Sequence, residues 1–102
     1  MSYILSSEAE EDLFQIWRYL AEVAGVEIAD HIESKLFEAF EMLVVSPGLG
    51  HKRSDLTPHP VLFFRTRPYP YLIIYRFKAR LEIVAVLHGK RNITELLQDR
   101  IP

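Results

Sequence analysis

The sequence contains no cysteine, which rules out both a disulfide framework and a thiolate metal site. Its four histidines, His31, His51, His59 and His88, lie far apart, without the paired spacing of a helix-borne zinc site. It has no glycine-rich phosphate loop, nucleophile elbow or paired metal-ligand motif, so the motif-borne routes to nucleotide binding, acyl transfer and metal-assisted hydrolysis are missing. No apolar run approaches membrane-spanning length, and the first residues are too short and polar for a signal peptide. These absences point to a soluble cytoplasmic domain with no cofactor, no metal and no membrane contact.

What is present is an ordinary globular balance. The chain has 102 residues, 49% of them hydrophobic and 25% charged, which suits one domain, 1-102, with a modest single core. The net charge of −2 hides a segregation. Residues 1–50 carry ten acids and two bases, and residues 51–102 carry ten bases and four acids. Such asymmetry suits either an anionic partner for the basic half or mutual neutralisation of the halves across the fold.

Ser2 to Leu5 reads as a short strand. Ser7-Glu8-Ala9-Glu10 follows as a capping box, with Ser7 as the cap, and Glu8, Glu10, Glu11 and Asp12 suit the positive end of a helix dipole. Ala9, Leu13, Ile16, Leu20 and Ala24 recur on one helical face, with Phe14, Trp17 and Ala21 as a second stripe, and Gly25 is a stop. A second helix is expected from Glu27 to Val45, its main stripe Ile28, Ile32, Leu36, Ala39 and Leu43 broadened by Phe40. Ser46-Pro47-Gly48 ends it. The short link makes the pair an antiparallel hairpin.

Residues 49–60 form a loop, 61–66 a strand and 67–70 a turn. Tyr71–Phe77 and Leu81–His88 are then two strands joined at Lys78-Ala79-Arg80. Asn92-Ile93-Thr94-Glu95 caps a short helix. The order β-α-α-β-β-β with a short C-terminal helix is an α+β fold, a two-helix hairpin packed on a small, mainly antiparallel sheet.

Within that frame the chemistry-bearing residues are few. His88 ends a buried strand and is either a general base reaching a cleft or a strand-end histidine that caps backbone groups. Arg65, Arg76, Lys90 and Arg91 lie at or near strand ends, where they form a patch for phosphate or acidic protein or simply solvate the sheet edge. The Phe14–Trp17–Ala21 stripe, and Phe37–Phe40–Val44 on the second helix, exceed what a two-helix layer needs to cover a small sheet.

Tyr3-Ile4-Leu5-Ser6, Ala9, Asp12-Leu13, Ile16, Tyr19, Ala29, Leu43, Pro47 and Gly50 lead into Tyr71-Leu72-Ile73-Ile74-Tyr75-Arg76, Ile83 and Val86-Leu87-His88-Gly89-Lys90-Arg91. Over nearly the whole chain, and in this order, these residues resemble the ParE branch of the RelE/ParE toxins of bacterial toxin–antitoxin pairs. The resemblance implies a toxin that binds and inhibits DNA gyrase, with Arg65, Arg76, His88, Lys90 and Arg91 gathered at one end of the sheet for that contact. It also implies a ParD-like antitoxin, a ribbon-helix-helix protein whose C-terminal segment docks on Phe14, Trp17, Ala21, Phe37, Phe40 and Val44. Operator DNA would be met only through that antitoxin.

RelE-type relatives are ribosome-dependent ribonucleases, which leaves an alternative with His88 and Arg91 as catalytic residues. A third possibility is an inactive member that only binds its antitoxin. Against the nuclease, the chain has Val61 and Phe63 where RelE-like enzymes carry lysines. It has Leu72 where they carry an arginine, and Leu97 falls near their C-terminal tyrosine. Attack by a 2′-hydroxyl needs a proton acceptor and cations at the phosphate, and leucine and phenylalanine supply neither.

Overall fold

The computed structural model describes residues 2–88 and 92–101. Strand β1 (Tyr3–Leu5) leads into helices α1 (Ser7–Ala24) and α2 (Val26–Val45). A 3-10 turn at Pro47–Leu49 follows, then strands β2 (Leu62–Arg65), β3 (Tyr71–Lys78) and β4 (Arg80–His88), and helix α3 (Ile93–Arg100). The sheet order is β1-β4-β3-β2. Only β1 runs parallel to its neighbour, so the sheet is mainly antiparallel, as its element order implies.

Each helix boundary has a chemical cause. Ser6, not Ser7, caps α1, because its hydroxyl accepts from the Ala9 amide at 3.0 Å. The Glu10 amide goes to the Ser6 carbonyl at 3.0 Å, and the Ser7 hydroxyl turns to the Glu8 carboxylate instead. The reason lies in β4, where the Val84 carbonyl accepts the Ser6 hydroxyl at 3.2 Å, so one side chain closes the helix and a strand edge together. Gly25 separates the helices with φ +98, a conformation that costs glycine little. Asn92 caps α3 by accepting from the Glu95 amide.

The sheet is covered on both faces. Leu13, Ile32, Leu36, Phe40 and Leu43 of the hairpin pack against Tyr71, Ile73, Tyr75, Leu81, Ile83 and Val86. Behind the sheet, Leu97 and Ile101 of the C-terminal segment pack with Val61, Phe63, Ile74, Val84, Ala85 and Leu87. A strand buried on both sides needs a continuous apolar run rather than alternation, which is the composition of β4. Ala24 and Ile28 lie outside this core and are exposed, because the hairpin's turn projects beyond the sheet.

Strand β1 pairs with β4 only from Leu81 to Ile83. Past that point side chains close the edge. Asp12 of α1 accepts from the Val86 amide at 3.0 Å and holds the Arg100 guanidinium through two contacts of 2.6 and 2.8 Å. Arg100 also donates to the Val84 carbonyl at 3.2 Å. Val84 is the residue by which the β3–β4 register shifts, since Ile74 faces Ala85 and Tyr75 faces Ile83. The hydrogen bond to Asp12 pushes the Arg100 pKa upward against the effect of burial.

Tyr75 ties the long loop to the core. Its hydroxyl donates to the Pro47 carbonyl at 2.6 Å and accepts from the Gly50 amide at 2.9 Å. A Cβ on Gly50 would sit 2.5 Å from that hydroxyl. We therefore expect Tyr75→Phe to destabilise the protein by about 1–3 kcal/mol in urea unfolding, because it leaves both backbone groups unpaired. Gly50→Ala should be at least as damaging, and Tyr75→Phe should relieve it only in part, since two ring carbons would still lie 2.8 and 2.9 Å from the new Cβ.

Candidate functional site

The residues expected to form one basic cluster are divided by the register of the sheet. Arg65 ends β2 opposite Leu72, and His88 ends β4 opposite Tyr71. These two share an end of the sheet but lie on opposite faces, Arg65 with Leu72 and His88 with Tyr71. The His88 ring meets the Tyr71 ring edge-on, with centroids 5.4 Å apart. Burial, with a smaller contribution from Tyr19, pushes the Tyr71 pKa upward.

Arg76 does not join them. It faces Glu82 near the opposite end of the hairpin and forms an ion pair with it. The expectation that Arg76 gathers with Arg65 and His88 is thus corrected, because the tight turn at Ala79 sets residue 76 against residue 82. Lys90, Arg91 and the final residue, Pro102, lie outside the described residues. Sequence reasoning missed two cations near Arg65: Arg67 in the following turn and Lys35 on α2 line the same groove. Neither stands out in a chain read element by element, since Lys35 is one of two bases in the acidic half.

The apolar residues assigned to the antitoxin also separate. Phe14 is 52% exposed, Trp17 and Ala21 are half-buried, and the Trp17 indole donates to Asp30 of α2 at 2.8 Å. Phe37 and Val44 are half-buried on α2. Phe40 is fully buried, its ring 5.4 Å from Tyr3 and 5.7 Å from Phe37. It belongs to the core and presents nothing to a partner. Its place is set by its spacing of four from Leu36 and three from Leu43, which puts it on the sheet-facing stripe.

Val61, Phe63, Leu72 and Leu97 come together in space. Val61, Phe63 and Leu97 are buried in the apolar cluster between sheet and α3, and Leu72 packs against it. Of the positions that the resemblance sets against the nuclease branch's cationic and tyrosine groups, Val61, Phe63 and Leu97 are core, and Leu72 is partly buried beside them.

Comparison with known proteins agrees with this architecture. The family model described as "ParE toxin of type II toxin-antitoxin system, parDE" matches residues 3–93. Toxin ParE1 of Caulobacter vibrioides is 33% identical over 90 residues, covering 88% of this chain and 91% of that protein. Toxin ParE3 of the same organism is 30% identical over 87 residues, 84% of each. A solved chain of the chromosomal ParDE system from P. aeruginosa superposes with a TM-score of 0.76 at 21% identity, covering 88% of this chain and 97% of that one, which shows the shared fold. The protein is a toxin of a type II toxin–antitoxin system, and it belongs to the ParE family. A family defined by such pairs implies a cognate antitoxin. Among the described residues, no helix is long and apolar enough to cross a membrane.

Core and surface assignments can be separated by stability. Phe40→Ala should cost about 3–5 kcal/mol, the range for emptying a buried aromatic site. Phe14→Ala should change stability by about 0.5 kcal/mol or less. Urea unfolding monitored by circular dichroism measures both, and equal losses would place Phe14 in the core.

Proposed function

We propose that this toxin inhibits DNA gyrase by binding to it, without a hydrolytic step of its own, and that the antitoxin prevents this by covering the toxin. One observation carries the proposal: Val61, Phe63 and Leu97 are buried in one apolar cluster between the sheet and α3, and the partly buried Leu72 packs against it. A 2′-hydroxyl attack on RNA needs a base and fixed cations at the scissile phosphate. Val61, Phe63 and Leu97 are buried hydrocarbon here and Leu72 is partly buried, so none of these side chains supplies a base or a cation.

Arg65 and His88, which share one end of the sheet, form the gyrase contact in this reading, and the family resemblance alone adds Lys90 and Arg91 to it. Arg76 is left out, since Glu82 already neutralises it. The antitoxin's helical part docks on Phe14, Trp17 and Ala21 of α1 and Phe37 and Val44 of α2. Operator DNA is reached only through the antitoxin, because the helical hairpin is strongly acidic and repels phosphate.

The ribonuclease alternative has the His88–Tyr71 ring contact in its favour, since a histidine on a sheet end can act as a base. Its neighbour supplies no cation for the phosphate, since a tyrosine phenol is neutral near pH 7 with or without burial.

Supercoiling of relaxed plasmid by purified gyrase tests the proposal. Excess toxin should abolish supercoiling, and messenger RNA in a translating extract should remain intact. His88→Ala and Arg65→Ala should each weaken inhibition about five- to thirtyfold, the effect of losing an interface anchor, whereas Arg76→Ala should change it by about twofold or less. Unimpaired gyrase with codon-specific RNA cleavage would establish the nuclease instead. Unimpaired gyrase with intact RNA and no growth arrest would leave a member that only binds its antitoxin.

A further inference from the structure

The end of the sheet opposite Arg65 and His88 carries exposed apolar residues that no contact described so far uses. Phe77, the penultimate residue of β3, is 61% exposed. By alternation it lies on the same face as Tyr75, the face that the helical hairpin covers. It stands past the reach of β2, whose pairing with β3 starts at Leu62 opposite Tyr75. The chain leaves α2 beside it, where Val45 is 82% exposed and Leu49 is exposed as well. The Tyr75 hydroxyl, bonded to Pro47 and Gly50, holds that segment against the same strand.

Next to this knob is a hollow. Phe77 pairs with Leu81, and Leu81 with Tyr3, so Phe77 and Tyr3 stand on one face, two strand spacings or about 10 Å apart. Tyr3 lines an open groove of about 650 Å³ together with Phe37, Met42 and Val45. Glu38 and Glu41 stand in its wall. Glu38 is paired with Lys35 at 3.4 Å. Glu41 accepts from the Ser2 hydroxyl at 3.1 Å but has no cation among the described residues. Lys78, at the hairpin turn beside Phe77, likewise has no acidic partner among them. Its long stem lets the ammonium reach round either face of the tip.

We propose that two copies of the free toxin associate through this end, each placing its Phe77 in the groove of the other, with Lys78 of each reaching Glu41 of the other. Two features select a second copy. The end carries an unpaired cation and an unpaired carboxylate, so it complements itself, whereas an anionic surface meets Glu41 and a cationic one meets Lys78. Knob and groove also lie side by side, so one two-fold axis between the copies satisfies both and closes the assembly as a dimer. An aromatic side chain seated in a pocket is the usual anchor of such a contact. Arg65 and His88, at the other end of the sheet, stay clear of it. Phe37 is shared with the face proposed for the antitoxin, so the contact belongs to the toxin without its antitoxin.

Sedimentation equilibrium of the purified toxin over about 1 µM to 1 mM, the range in which a small contact associates, tests this. A monomer–dimer equilibrium should appear and weaken as salt is added. Phe77→Thr keeps a strand former at an exposed position, so the unfolding midpoint should hold while the dimer weakens at least about tenfold. Lys78→Glu and Glu41→Lys, both at exposed positions, should each weaken it about three- to fivefold. Their combination should recover most of that loss. A toxin that stays monomeric throughout the range would overturn the proposal. So would a dimer indifferent to Phe77→Thr, or a double variant no tighter than the single ones. A monomeric toxin that binds mixed phosphatidylcholine–phosphatidylglycerol vesicles through Phe77 would overturn it as well, because this end would then serve a membrane surface.

Discussion

The edge of β4 beyond Ile83 is the constraint on which the rest of the structure depends. The strand is nine residues long, and β1 is only three. An exposed edge on a largely apolar strand invites mispairing, so the open part has to be closed. Ser6, Asp12 and Arg100 close it, each bonding a backbone group of Val84 or Val86. The Asp12 and Arg100 side chains are only 10% and 14% exposed. Breaking a buried, hydrogen-bonded pair by removing one partner typically costs about 3–5 kcal/mol. The same contact joins the helix on one side of the sheet to the helix on the other, so the N-terminal and C-terminal parts of the fold are held through a single strand edge.

From that clamp follows the character of the functional surface. With α3 held down, the second face of the sheet is covered, and Phe63 becomes core with Leu72 partly buried beside it. What remains accessible is the distal end of the sheet, the β2 edge with its groove, and the outward apolar stripe of the hairpin. The distal end and the stripe are the surfaces that the proposed function assigns to recognition. Their charges differ, acidic on the hairpin and basic around Arg65 and Arg67, so one protein can present distinct seats to partners of opposite character.

Much of this was legible in the residues. Spacing identified both helices, proline and glycine their ends, and the apolar runs the β3–β4 hairpin. The α1 cap was displaced by one residue because Ser6 has a second task at Val84, which becomes visible only once the strand is in place. The role of α3 was underestimated, since its eight residues bring just Leu97, followed by Ile101, into the core. Two errors concern signals already present. Phe40 keeps the core spacing of its helix, and a turn centred on Ala79 sets Arg76 opposite Glu82. The groove beside β2 was not legible, because it unites Lys35, Arg65 and Arg67 from separate elements.

The central claim is that this toxin acts by contact rather than turnover, and stoichiometry tests it most directly. Gyrase held well above the dissociation constant would be titrated with the toxin, and residual supercoiling read at each ratio. The account predicts a linear fall that ends at a fixed small molar ratio, unchanged by longer incubation. Complete loss at a small fraction of one toxin per gyrase, deepening with time, would mean catalysis and would contradict it.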